Sequence, residues 1–385
     1  MATPSRPITL HIGTYTSGTS KGIYRVDFDP ETGALGEPAL AAEAIDPAFL
    51  AWHPRLRVLY SVSETDTGPE RQGLVIAFAV AADGSLTKLD EQPSGGAAPC
   101  HVSVDPSGAR VFVANYHGGS VAALPIDADG RLQAPSSVAR HYGSSVHPVR
   151  QRKAYAHSIV PAPTNDGQAA SFAVAADLGA DRVIVYRVDD ASGQLTMHDA
   201  GTVTGNAVPG AGPRHLAFAR AGGSAGDSAG GAGDRLFVIN ELNSTIAAYA
   251  WDGAQGTLER LGDPVSTLPA DFAGENFPAE VAVHPSGEFL YGSNRGYDSI
   301  AIFRIGSSTD HGDYLSRLRV HSTHGKTPRH FAIDPTGAFL IAANQDSDSL
   351  VVFRIDRQTG LLSDTVVRAK VPSPACVRFR PTPRR

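Results

Sequence analysis

The chain repeats itself. Phe277–Ile305 reads FPAEVAVHPSGEFLYGSNRGYDSIAIFRI, and Thr327–Ile355 reads TPRHFAIDPTGAFLIAANQDSDSLVVFRI. Worn copies begin at Pro99 (PCHVSVDPSGARVFVANYHGGSVAALPID) and Pro213 (PRHLAF, then RLFVINELNSTIAAYAWD). Weaker ones begin near Pro47 (PAFLAWHPRLRVLYSVSE) and near Tyr155 (YAHSIVPAP, then SFAVAADLGADRVIVYRVD). A period of roughly 50 residues marks stacked copies of one supersecondary unit, none of which buries its apolar face alone.

Within a copy the apolar pattern has period two. Val281, Val283, Leu290, Ile300, Ile302 and Ile305 fall in short runs separated by Pro-Ser-Gly and Gly-Tyr-Asp. That alternation, broken by turn formers, predicts antiparallel strands joined as hairpins. Each copy reads as strand a (AEVAV), a turn, strand b (FLYGSN), a polar loop, strand c (SIAIFRI) and an outer strand d. Four strands per repeat predict an all-β fold, a β-propeller, whose radial repetition leaves only short edges. The Gly-His and Trp-Asp signature of WD repeats is missing apart from a single Trp251-Asp252.

The termini set the blade count. PACVRFRP (Pro374–Pro381) matches strand a and the sequence then ends, whereas ITLHIGTY and GIYRVDFD match strands b and c with no strand a before them. Six internal copies and one split copy predict seven blades in one domain spanning 1–385. The C-terminal strand a is expected to close the ring by pairing with the N-terminal strands, which removes two open sheet edges.

Composition narrows the function. A formal net charge of −6 gives no reason to expect nucleic acid. No apolar run is long enough for a membrane span, and the start, MATPSRPITLHIGTY, lacks a secretory h-region. With Cys100 and Cys376 as the sole cysteines, no disulfide framework or metal-type pair is implied, and a cytoplasmic setting is expected. No cofactor is called for. Oligomeric state is left open, a monomer being compatible with the sequence. The stretch Ala221–Asp234 (AGGSAGDSAGGAGD) between strands a and b of the fourth copy is too poor in apolar side chains to offset its ordering entropy. It reads as a tolerated hairpin insertion.

Position-by-position comparison exposes the residues the repeat does not explain. Third in the P-x-x start of strand a stand Phe49, His101, His157, His215, Glu280, His330 and Cys376, and second stand Ala48, Cys100, Ala156, Arg214, Ala279, Arg329 and Ala375. Just past strand b come Tyr15, Glu64, Tyr116, Leu178, Glu241, Arg295 and Gln345. The start of a and the end of b share one face of the ring, where the innermost strands converge. Arginines, carboxylates and imidazoles gathered there would suit acid–base chemistry on an anionic substrate. Bland readings stand beside this one. His101, His215 and His330 recur at one place, which points to a shared structural task such as bonding to the next blade. His53-Pro54 and His284-Pro285 read as turns, as do Asn115, Asn240, Asn294 and Asn344. Arg214 and Glu241 would form an ion pair with or without a function, and His157 would serve equally as a core histidine.

SSVHPVRQ followed by AHS, then GPRHLAF, INELNST, SNRGYDSIAIF and AANQDSDSLVVF, together resemble the seven-bladed propeller lactonases. That family includes cycloisomerase-type 6-phosphogluconolactonases and, more distantly, the carboxy-cis,cis-muconate lactonising enzyme. The resemblance spans nearly the whole chain. It implies site roles for His157, Arg214, Glu241 and Arg295. Gln345 and Tyr155 are expected as further substrate contacts, and zinc-ligand spacing is missing, so no metal is expected. Where members often carry Pro-His-x-His, this chain reads Ala154-Tyr155-Ala156-His157. In such a site Arg214 and Arg295 would hold an anion and stabilise an oxyanion. His157 would exchange a proton near neutral pH, and Glu241 would activate water or orient His157. The Gly-x-Ser-x-Gly matches at 222–226 and 226–230 fall in the apolar-poor insertion and not in a strand-to-helix elbow, so an acyl-enzyme route has no support. The expected activity is hydrolysis of an anionic sugar lactone, foremost 6-phospho-D-glucono-1,5-lactone. The alternatives are a muconate-type cycloisomerase and a non-catalytic binding platform.

Overall fold

The computed structural model describes residues 7–66, 72–164, 168–204, 208–220, 234–306 and 314–380. The period-two runs become antiparallel sheets that follow chain order from the inside outwards. The inner strands of blades 1 to 7 are Leu50–Trp52, Pro99–Val104, Ala156–Pro161, Pro213–Ala219, Phe277–Val283, Pro328–Ile333 and Pro374–Phe379. Each touches the inner strand of the next blade, and the seventh touches the first. The described residues thus form the expected closed ring. In blades 3 and 4 the outer strand comes in two pieces, Leu195–Met197 with Val203–Thr204 and Thr257–Arg260 with Val265–Ser266. The insertion expected at Ala221–Asp234 lies, up to residue 233, outside the described residues.

Closure occurs where the termini predict. Pro374–Phe379 pairs with Ile8–Thr14 in the register Leu10–Phe379, His11–Arg378 and Ile12–Val377. Outside that junction the blades hold together through side chains. One apolar layer, for example, joins Phe112 and Val121 of blade 2 to Ile159 and Ile184 of blade 3. Another joins Leu10 and Ile12 of blade 7 to Ile341 and Val352 of blade 6. Second strands are flanked by a blade on each side, so Arg110–Asn115, Phe172–Asp177 and Phe339–Asn344 are buried throughout. Outer strands such as Leu362–Lys370 alternate with solvent. Polar ties cross the same seams. His53 Nε2 lies 3.2 Å from the Gly108 carbonyl and His284 Nε2 2.9 Å from that of Gly337, so both His-Pro turns reach the next blade. The recurrent asparagines tie hairpins together: Asn115 and Asn294 each donate to the end of an outer strand and to a serine of strand c.

One local irregularity positions the site. Where strand a meets strand b, the register slips by one residue in blades 2, 3, 4, 6 and 7 and again in blade 5. Such a bulge leaves one residue unpaired and re-aims its side chain. In blades 2, 4 and 6 the unpaired residues are Cys100, Arg214 and Arg329. In blade 3 it is His157, since Ala156 pairs with Asp177 and Ser158 with Ala176. His157 is therefore the counterpart of Arg214 and Arg329, and Ser158 that of His215, one place away from the alignment drawn on the sequence. The Pro that anchors the alignment in the other blades is absent there, which is why the shift was invisible.

Removing residues 372–385 would strip Leu10 and Ile12 of their strand partner and open the ring. Each such side chain buried is worth about 1.5–3 kcal/mol, and the two exposed edges invite aggregation. The truncated chain is expected to lose its cooperative thermal transition and its soluble yield, as read by circular dichroism and size-exclusion chromatography.

Candidate active site at the channel mouth

Seven inner strands converging on one axis, six of them bulged, produce two stacked rings of side chains. The inner ring holds Phe49, His101, His215, Glu280 and His330. Phe49 packs against all three imidazoles, with centroid separations of 4.4 Å to His101, 5.5 Å to His215 and 5.6 Å to His330. Each histidine also bonds the next blade. His101 Nδ1 accepts the Ile159 N–H, His330 Nδ1 accepts that of Val377, and His215 Nδ1 lies 3.0 Å from Glu280. The shared structural task expected of these three is thus visible. This layer floors a channel of about 580 Å³ that opens between the later residues of the inner strands.

The polar mouth lies on the other side of the layer. Its centre is Glu241, buried just past strand Arg235–Asn240. Oε1 accepts from Arg150, and Oε2 accepts from Arg214 Nε at 3.1 Å and Arg295 at 2.8 Å. Arg214 is itself fixed by the Ala279 carbonyl, and Arg295 Nε by that of Phe277 at 2.9 Å. Across the mouth Arg329 donates to the Tyr15 hydroxyl at 2.6 Å and lies over the Tyr15 ring, while Tyr15 donates to Glu64 at 2.7 Å. Among the described residues Arg329 makes no ion pair with a carboxylate. His157 fills the space between, its ring 5.3 Å from Tyr116 and 5.2 Å from His215, with Nδ1 3.8 Å from the Cys100 sulfur.

Of the residues expected from sequence, His157, Arg214, Glu241 and Arg295 are brought together. Tyr155 joins from the side: it stacks on Tyr116 at 4.9 Å and accepts from Arg152, while Tyr116 in turn bonds Arg150. Gln345 stands at the equivalent end of blade 6, with its Oε1 buried and unbonded among the described residues. Arg150 was missed as a site residue. It sits in the loop before blade 3, where no repeat gives it a counterpart, and only the SSVHPVRQ motif marks it. Arg329 repeats the Pro-Arg-His of Arg214, a signal that was present and not followed into the site.

Charge explains how these groups ionise. Burial alone would raise the Glu241 carboxyl, but the guanidiniums of Arg295, Arg214 and Arg150 outweigh it and hold it below the ordinary glutamate range. Burial presses Arg295 down to about 9, so it stays a cation at neutral pH. Burial, then the Arg214 charge and His215, hold the His157 imidazole well below its usual value. Against the expectation that His157 titrates near neutrality, its surroundings favour the neutral imidazole there. Four guanidiniums (Arg150, Arg214, Arg295, Arg329) face two carboxylates (Glu64, Glu241), an excess of two positive charges when both acids are ionised. Such a mouth attracts an anion although the chain as a whole is acidic. The one grouping with metal-ligand spacing among the described residues, His321, His324 and Asp364, lies on and just past the outer strands of blades 5 and 6 and not at the mouth.

Glu241→Gln removes the charge that neutralises three arginines, two of them well buried. Leaving buried cations uncompensated costs on the order of 3–5 kcal/mol. The stabilisation comes from a carboxyl whose folded value is depressed, so it is fully present above the unfolded glutamate value and is lost as pH falls through the folded one. Urea unfolding should therefore separate the Glu241→Gln variant from wild type at pH 7 and bring the two curves together in strong acid.

The family profile for seven-bladed β-propeller lactonases matches residues 9–379. A 6-phosphogluconolactonase of Bacillus subtilis is 36% identical over 370 residues, 96% of this chain and 97% of its own. A 6-phosphogluconolactonase of Formosa agariphila is 31% identical, covering 78% of this chain and 79% of its own. Among solved structures, the periplasmic gluconolactonase of Pseudomonas aeruginosa superposes with a TM-score of 0.85 at 32% identity, over 97% of this chain and 99% of that one. The closed ring, its rim of arginines around one glutamate and these matches together show that the chain belongs to the lactonase family of seven-bladed β-propellers.

Proposed function

We propose that this protein hydrolyses an anionic sugar lactone, with 6-phospho-D-glucono-1,5-lactone the foremost substrate and 6-phosphogluconate the product. The observation that carries the reading is the excess of guanidinium charge at a mouth that also holds carboxylates and a neutral imidazole. The similar proteins named for this reaction support it. Hydrolysis needs water activated against the carbonyl, a partner for the oxyanion and a proton for the departing ring oxygen. The arginine forks supply fixed donors to an oxyanion and to a phosphate. Arg295 and Arg214 are held by backbone carbonyls and so lose little freedom when substrate arrives. The neutral His157 accepts or passes on a proton without bringing another positive charge to the cluster.

A phosphorylated lactone is a charged metabolite retained inside the cell, so we place the reaction in the cytoplasm, in the oxidative branch of pentose phosphate metabolism. Among the described residues no helix is long and apolar enough to cross a membrane.

Initial rates on 6-phosphogluconolactone, gluconolactone and a muconate-type acid, each against its spontaneous background, test the reading. The phosphorylated lactone should be turned over best. Failure on every lactone overturns the proposal, and lactone formation from the muconate-type acid would replace it with the cycloisomerase. Arg295→Lys keeps the charge and loses the fork, so kcat/KM should fall tenfold or more, about 1.4 kcal/mol of transition-state stabilisation. His157→Asn should lower kcat without removing any limb of the pH profile near neutrality.

A further inference from the structure

We infer that Glu64, rather than Glu241, is the carboxylate that takes the proton from the attacking water, with Tyr15 as its positioning residue. The inference rests on the lactonase reading above and names the base within it.

Both carboxylates occupy the same rim position, one residue past strand b, Glu64 in blade 1 and Glu241 in blade 4. Their surroundings differ. Both Glu241 oxygens are taken, by three guanidiniums in all. A carboxylate bound by several cations has its lone pairs engaged and is a poor base. Glu64 receives one hydrogen bond, from a neutral phenol to Oε2. Its Oε1 has no hydrogen-bond partner among the described residues and is not among the sealed polar atoms. Arg329, free of any carboxylate partner there, lies over the ring of the same phenol and donates to its hydroxyl. A base with an open oxygen and an unpaired cation therefore stand together, as addition of water to a carbonyl requires.

The charged and titratable groups acting on Glu64 are Arg329, Tyr15, Arg214 and Asp46, and the Cys100 thiol also feels its charge. Burial prevails and raises the Glu64 carboxyl above its ordinary value, against the pull of Arg329, the Tyr15 hydroxyl and Arg214. Two acids at one mouth are thus driven apart, the pattern that separates a proton carrier from an electrostatic partner in other enzymes. The step balances without a co-reactant. The water oxygen bonds the lactone carbonyl carbon while one water proton passes to Glu64, and the carbonyl π pair moves onto oxygen beside the arginines. Collapse of the adduct breaks the ring C–O bond, and the departing alkoxide takes the proton back from Glu64.

The test is the pH dependence of kcat and KM for 6-phosphogluconolactone hydrolysis by the full chain. General-base loss typically costs on the order of 100-fold or more, so Glu64→Gln should lower kcat by about that factor, leave KM within about threefold and abolish the acid limb. Tyr15→Phe removes a bond that favours the charged carboxyl, so it should keep activity on the alkaline side and move the acid limb to higher pH. A merely structural tyrosine would not move that limb, and this variant decides the matter if Glu64→Gln does not fold. Wild-type turnover in folded Glu64→Gln, or an unmoved acid limb in Tyr15→Phe, would overturn the inference while leaving the lactonase reading intact. A wild-type protein inactive on every lactone would overturn both.

Discussion

The pairing of Pro374–Phe379 with Ile8–Thr14 is the contact on which both the ring and its mouth depend. Neighbouring blades adhere through side-chain layers, which tolerate some slippage, whereas this junction, inside blade 7, is a hydrogen-bonded register. It fixes where Tyr15 emerges, because Tyr15 follows the closing strand directly and its N–H bonds the Ser373 carbonyl at 3.1 Å. Tyr15 then bridges Glu64 of blade 1 and Arg329 of blade 6. Two parts of the chain 314 residues apart meet at one hydroxyl, so the half of the mouth containing Glu64 exists only when the ring is closed.

The other half is organised around Glu241. Three guanidiniums drawn to one buried carboxylate would repel one another without it, and the inner layer of Phe49 and the histidines divides the mouth from the channel below. Desolvation acts on every group here, and its sign depends on the group. It presses Arg295 and His157 towards neutrality and Glu64 towards the acid form, and it fails at Glu241 because the cations are closer than solvent would be. One mouth thus contains a fixed anion, a neutral imidazole and a carboxyl displaced upwards.

The fold was legible in the sequence because its physical basis is local and repeated. Alternating apolar residues, Pro-Ser-Gly turns and the strand a left over at one end specify seven blades and their closure, and each repeat checks the others. The same repetition identified Arg214, Glu241 and Arg295 as departures from a pattern, and it explained His101, His215 and His330 as residues with a common bond to the next blade. It failed where a copy had lost its markers. Without the usual Pro in blade 3, nothing in the sequence shows that His157 rather than Ala156 sits on the bulge, and Arg150 belongs to a loop with no copy at all.

What the sequence determined by itself was therefore the architecture, the face on which the charged residues gather and most of those residues. Only the tertiary structure decided how those charges share one another. Glu64 and Glu241 are equivalent in the repeat and both are glutamate, yet one meets a phenol and the other three arginines. That difference is set by side chains from blades 4, 5 and 7 and from a loop arriving at one axis, distances that no local pattern encodes. Proton affinity at this mouth is a property of the converged ring rather than of any residue in it.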